Sequence, residues 1–157
     1  MDLTNNNIKT ISDYVFFRCN KLTSLKLPNV LTSLGQYAIN GCILLKSITI
    51  PSGVTTLSNY VLQSCESIEE IIVEGNVTSV GSYAFQYNGK KKKLVFPNIT
   101  AVPKLVATSA LSNTPMSLSP KDGYIYVPDN LVESFKTASN WSTYASQIKG
   151  ISELPTE

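Results

Sequence analysis

Apolar and polar positions alternate in two ways along this chain, and both ways recur. Some segments alternate residue by residue: Leu25-Lys26-Leu27, Ile48-Thr49-Ile50, Ile71-Ile72-Val73 and Leu94-Val95-Phe96. Period two with β-branched residues predicts short strands with one face inward. Pro28, Pro51 and Pro97 follow three of the four, and a proline there removes a ladder donor and stops the strand. Between these segments the apolar groups sit at Ile11, Tyr14 or Val15, Phe16, Cys19 and Leu22, with counterparts later in the chain. This spacing is close to helical. It predicts one or two turns of helix starting near Ser12-Asp13, Gly35 or Gly81.

The interval of recurrence is 23 residues. Cys19, Cys42 and Cys65 keep it, as do Tyr14, Tyr37, Tyr60 and Tyr83. A fixed period of this size marks a solenoid, in which each copy buries its apolar face by stacking on the next. Strands of successive copies become parallel neighbours, about 4.8 Å apart. The copies run 8–28, 31–51, from 54, and 77–97. In the fourth, Asn88 stands in the cysteine place and Lys91 in the place of Leu22. Met1 to Leu3 reads as the remnant of an earlier strand, with Leu3 matching Leu27 once one residue is inserted among Asn5, Asn6 and Asn7.

Phe96 and Val127 are 31 residues apart rather than 23. The stretch 98–123 carries Pro103, Pro115 and Pro120 and is rich in Ser and Thr, which predicts an irregular fifth unit with a surface loop. The strand pattern returns at Tyr124-Ile125-Tyr126-Val127-Pro128. Beyond Asp129, Leu131, Phe135, Ala138, Trp141, Ala145 and Ile148 recur at three or four residues, the stripe of an amphipathic helical segment. Asp129 or Asn130 with Glu133 suits its start, Ser139-Asn140 interrupts it, and Gly150 is a stop. A one-off segment with an apolar and a polar face is what the end of a solenoid requires. The expected architecture is therefore α/β: a parallel-sheet solenoid over 1–128 and a helical C-terminal cap over 129–157, within one structural domain.

Several functions lose support from composition. Charged residues make up 15% and the net charge is +2, so nucleic-acid binding is not expected. The basic run Lys90 to Lys93 lacks interleaved aromatics and reads as a solvated turn, with Lys92 and Lys93 beside Glu69 and Glu70. No apolar run is long enough to span a bilayer, and Met1 to Ile11 is too polar for a secretory signal. There is no histidine, no recurrent acid pair and no glycine-rich phosphate loop, so no enzyme, cofactor or metal site is expected. The cysteines number three, which excludes complete disulfide pairing within one chain. Their common slot makes them small buried hydrophobes. The tyrosine file reads in the same way, as packing.

The anchors Leu22-x-x-Leu25-x-Leu27-Pro28 and Leu45-x-x-Ile48-x-Ile50-Pro51 resemble leucine-rich repeats. With Gly35-x-Tyr37-Ala38-Ile39-x-x-Cys42 and Gly81-x-Tyr83-Ala84-Phe85 ahead of such anchors, they resemble the BspA-type bacterial surface subclass. The likeness covers roughly Ile8 to Phe96 and the strand at Ile125 to Val127. It implies a curved right-handed solenoid, no catalysis, an extracellular or cell-surface location, and attachment to a host or matrix protein. With no signal peptide of its own, the chain is expected to be a fragment or mature region of a longer protein.

Outward strand positions then carry the functional expectation. If Leu25 and Leu27 face inward, the file between them reads Lys26, Thr49, Ile72, Val95, Tyr126, and its neighbour reads Ser24, Ser47, Glu70, Lys93, Tyr124. The first turns apolar toward the C-terminal half. Ile72, Val95 and Tyr126, with Tyr124 and Lys93 beside them, are expected to form an exposed patch that binds a protein partner. The rival expectation is a structural spacer with no ligand of its own. Neither the oligomeric state nor the partner's identity follows from the sequence.

Overall fold

The computed structural model describes residues 1–90 and 92–155. Lys91, which belongs to the lysine run and to the fourth unit's pattern, lies outside the described residues. The strands, in order, are β1 (Thr10–Ile11), β2 (Ser33–Leu34), β3 (Ser47–Ile50), β4 (Thr56–Leu57), β5 (Glu70–Val73), β6 (Ser79–Val80), β7 (Lys93–Val95), β8 (Lys104–Leu105), β9 (Tyr124–Val127) and β10 (Ile148–Gly150). One α-helix, α1 (Val132–Thr137), and a few 3₁₀ turns complete the chain.

Three of the four alternating segments become strands, whereas Leu25-Lys26-Leu27 makes only an isolated bridge, from Lys26 to Asp2. The three join β9 and β10 in a five-stranded parallel sheet in the order β10-β9-β7-β5-β3. The register is the sequence interval itself: Ile48 lies opposite Ile71, and Ile71 opposite Leu94. The shorter strands build two further parallel ladders, β1-β2 and β4-β6-β8. Leu25, Leu27, Ile48, Ile50, Ile71, Val73, Leu94, Phe96, Ile125 and Val127 are buried and meet Ile11, Leu34, Leu57, Val80 and Leu105 in one core. Met1 to Leu3 does pair as a strand remnant, with Asp2 opposite Lys26. The result is a stack of parallel ladders with few helices.

The middle of each unit is not helical, contrary to the spacing. It is a chain of turns with left-handed residues at two fixed places. Tyr14, Arg18, Tyr37, Tyr60, Ser64, Tyr83 and Tyr87 have φ between 54° and 63°, and Gly41 has φ 74°. Each left-handed residue breaks the run that a helix needs. Alternate N–H groups then point at the next coil. Tyr14, Phe16 and Arg18 donate to the carbonyls of Gln36, Ala38 and Asn40, and Tyr37, Ile39 and Gly41 donate to Asn59, Val61 and Gln63. The apolar spacing that imitated a helix comes from inward residues of these turns, such as Ala38, Ile39 and Cys42.

The fifth unit is more regular than expected. Val80 pairs with Leu105, 25 positions on, whereas Leu94 pairs with Ile125, 31 positions on. The extra residues thus enter in more than one place, and the unit keeps its strand β8 and a 3₁₀ turn, Thr108–Leu111. Thr114, Pro115 and Met116 are buried, so the exposed loop shrinks to 118–122.

The C-terminal segment also departs from the expectation of a purely helical cap. After α1 and the 3₁₀ stretch Trp141–Gln147 it returns to the sheet as β10. Ile148 pairs with Ile125 and Gly150 with Val127, so the segment is one more 23-residue step. Gly150 ends a strand rather than a helix, and a Cβ there would collide with Asp129 Oδ1. No side-chain cap opens α1, and Glu133 instead pairs with Lys136 at 2.9 Å. Trp141 seals the end. Its Nε1 donates to Pro103 O at 2.7 Å, and its ring stands edge-to-face on Phe96 and Phe135.

Candidate interaction surface

Parallel pairing aligns the outward residues as the alternation requires. Thr49, Ile72, Val95 and Tyr126 lie side by side across β3, β5, β7 and β9, and β10 adds Lys149 beyond Tyr126. The flanking file is Ser47, Glu70, Lys93 and Tyr124. Lys93 Nζ lies 3.6 Å from Glu70 Oε1, as cross-strand neighbours of opposite charge should. Lys92 lies beside Glu69 as expected, its N–H donating to Glu69 O at 2.8 Å, while its Nζ reaches Asp122 at 3.7 Å.

The expected exposure is not met at two of the five positions. Val95 is only 4% exposed and Tyr126 only 3%, although neither belongs to the core cluster. They are buried on the outward face, where the files cover one another. Tyr126 has Val95 on one side and Lys149 on the other. The Tyr124 ring lies 6.3 Å from it, and Lys149 Nζ sits 4.2 Å from the centre of Tyr124. Glu153 reaches back to Lys149 at 3.8 Å. Burial, then Tyr124 and Glu153, push the Tyr126 phenol upward. Ile72, Tyr124 and Lys93 are half-buried and keep accessible surface. Sequence reasoning missed Lys149 and Glu153. The signal was present, since Ile148-Lys149-Gly150 repeats Ile125-Tyr126-Val127 at the same interval.

At its other end the face opens. The sheet stops at β3, and Lys26 bonds instead to Met1 and Leu3. A groove of about 400 Å³ with a mixed polar and apolar lining lies there, with Ser24, Lys26, Thr49 and Glu74 beside Leu25 and Ile48. The segment 103–121 leans on the C-terminal segment. Asn140 Nδ2 donates to Leu105 O at 2.8 Å, and the Tyr144 hydroxyl donates to Thr108 O.

Larger aromatic surfaces lie on the turn side. Tyr14, Tyr37, Tyr60 and Tyr83 form a continuous stack with centroids 4.9, 4.4 and 4.9 Å apart and planes within 8° of parallel. Tyr14 remains 53% exposed at its head and Tyr87 50%. Beside the stack runs an amide ladder. Asn40 donates to Gln63 at 2.9 Å, Gln63 to Gln86 at 2.6 Å, and Gln86 to Ser112 at 2.9 Å.

Cys42 and Cys65 are fully buried, whereas Cys19 is half-buried, short of the burial expected of all three. Burial, and then the neighbouring thiol, raise Cys42 to about 11 and Cys65 to about 12. Among the described residues no three metal-binding side chains converge, and no helix is long and apolar enough to cross a membrane.

Comparison with known proteins gives this geometry a context. A leucine-rich cell surface protein from Faecalibacterium prausnitzii A2-165 is similar in structure, with a TM-score of 0.65 and 26% identity over 80% of this chain. A leucine-rich repeat protein from Bacteroides ovatus ATCC 8483 shares the fold, with a TM-score of 0.57 and 23% identity over 78% of this chain. The present chain spans 30% and 36% of those two proteins' lengths. No curated protein matches it. The model of the BspA-type leucine-rich repeat region matches residues 2–113 in six copies. Over most of its length, then, this chain belongs to the BspA-type leucine-rich-repeat family.

Proposed function

We propose that the chain is a non-catalytic protein-interaction module of a bacterial surface or secreted protein, built as a right-handed solenoid, with 1–128 and 129–157 acting as one domain. Its partner is a host or matrix protein held on the sheet face. One observation carries this reading. Ile72, Lys93 and Tyr124 lie half-buried on three successive strands of one parallel sheet, with Val95 and Tyr126 buried beside them on the same face. A rigid platform with an aromatic and an aliphatic anchor loses little entropy on binding. The burial of Val95 and Tyr126 favours the rival reading of a spacer, because it removes apolar area from the face.

One measurement separates the two. Native chain and the double variant Ile72→Ser, Tyr124→Ser are passed over a panel of immobilised extracellular-matrix proteins. The module reading expects capture of at least one by the native chain and its loss in the variant, with unchanged melting. Capture by neither supports the spacer. Equal capture by both sinks the sheet-face site.

A further inference from the structure

On the turn side of the first three coils lies a groove of about 490 Å³. Phe17 and Tyr37 form one wall, Asn40 and Gln63 line it, and Arg18 and Glu66 flank it. We propose that this groove binds a neutral oligosaccharide.

Arg18 is pre-positioned. Its stem crosses Gly41, where an added Cβ would lie 3.1 Å from Arg18 Cγ, and its guanidinium sits 5.2 Å from the centre of Phe17. Phe17 in turn packs edge-to-face with Tyr14 and Tyr37, at 5.5 and 6.4 Å. Among the described residues neither Arg18 nor Glu66 has an ion-pair partner. Arg18, leaning on Phe17 and Gly41, loses less entropy on taking a ligand than a wholly free side chain would.

The amide ladder sets the chemistry between them. An amide has two N–H donors and two acceptor lone pairs. Gln63 uses one donor on Gln86 and one lone pair on Asn40, which leaves one of each. The groove thus mixes donors and acceptors beside aromatic rings, with one positive and one negative group. Sugar hydroxyls donate and accept at once, and the C–H groups of a sugar ring suit the exposed Phe17 ring, since both faces of Tyr37 are taken by Tyr14 and Tyr60. The opposed charges disfavour other ligands. A phosphate chain meets Glu66, and a basic peptide meets Arg18. A neutral peptide finds no strand edge, because alternate N–H groups of these turns already bond to the next coil.

The test titrates cellohexaose, chitohexaose and mannohexaose separately into the full chain and follows amide NMR shifts. Hexagalacturonate and an acetylated, amidated Ser-Gly repeat peptide serve as comparisons. At least one neutral hexaose should bind and shift coils one to three. The double variant Arg18→Gln, Glu66→Gln changes two exposed side chains. With unchanged melting it should lose about tenfold in affinity, roughly 1.4 kcal/mol. The sheet-face variant Ile72→Ser, Tyr124→Ser should bind as the native chain does, which keeps this site separate from the protein-binding face. The proposal is overturned by equal binding in the Arg18, Glu66 variant, or by loss in the sheet-face variant. It is also overturned if no neutral hexaose shifts the spectrum, or if the acidic sugar or the peptide binds more tightly.

Discussion

At the residue scale, the cysteine file shows how one slot gives different chemistry along an array. Cys42 Sγ donates to Phe16 O and Cys65 Sγ to Ile39 O, both at 3.2 Å, so each is covered by a turn of the preceding coil. Among the described residues Cys19 Sγ makes no such bond, and Cys19 stays half-buried. With a thiol reagent at neutral pH, Cys19 should react in the native state and Cys42 and Cys65 only after unfolding; native reaction of all three at one rate would contradict the packing. The pH dependence follows. The inner thiols are raised from 9.0 to about 11 and about 12, so between those values the unfolded chain ionises and the folded chain does not. Their contribution is fully present below pH 9 and is lost as pH climbs toward the folded values. Urea midpoints should therefore be flat with respect to these groups at neutral pH and fall above about pH 9, less steeply in Cys65→Val. The inner burial was legible in the constant spacing. The exposure of Cys19 was not, because it depends on what packs ahead of the first coil rather than on the repeat.

At the element scale, strands were legible and turns were not, for a physical reason. Period two has few rivals, and proline closes the strand segments ahead of Pro51 and Pro97. The turns carry apolar residues at helix-like spacing, and only Gly41 among the left-handed positions is a glycine. Tyrosine is an unusual choice for positive φ, so Tyr14, Tyr37, Tyr60 and Tyr83 gave no warning. Their ring stack is one compensation for that backbone cost. The C-terminal segment was half legible: the Phe135 and Trp141 stripe announced a cap, but the eye followed the helical stripe and passed over β10. Trp141 ties these parts together, since it touches Pro103, Phe96 and Phe135. Trp141→Ala should cost about 3–5 kcal/mol, from a large cavity and an unpaired carbonyl. A loss of unfolding free energy below about 1 kcal/mol in urea would mean the cap does not hold the last coil. Removing 129–157 altogether should bare the apolar end of the array and give aggregation visible by light scattering.

At the scale of the whole molecule the array is directional. Its turns donate N–H groups forward and accept through carbonyls from behind. At the C-terminal end Asn140, Trp141 and Tyr144 donate to Leu105, Pro103 and Thr108. At the other end, the carbonyls of Asp13, Val15 and Phe17 occupy the places of Gln36, Ala38 and Asn40, yet accept no hydrogen bond among the described residues. Tyr14 and Val15 are exposed beside them, at 53% and 52%. This asymmetry also explains how far the candidate surface could be read. The direction of Ile72, Val95, Tyr126, Tyr124 and Lys93 followed from alternation, but their exposure depended on neighbouring files and on Lys149 of an unforeseen strand. The same asymmetry sets stability along the described residues, because interior coils bond to a coil on either side, whereas the carbonyls of Asp13, Val15 and Phe17 accept no such bond. Amide exchange should therefore run as a gradient. Tyr14, Phe16 and Arg18 should exchange at least about tenfold faster than Tyr60, Leu62 and Ser64, which make the same bonds one interior coil to the next, a difference of roughly 1.4 kcal/mol in opening free energy. Uniform protection across the two sets would mean that the array opens only as a whole. Slower exchange in the first coil would mean that its rim is covered in solution, and the carbonyls of Asp13, Val15 and Phe17 would then be the place to look for the cover.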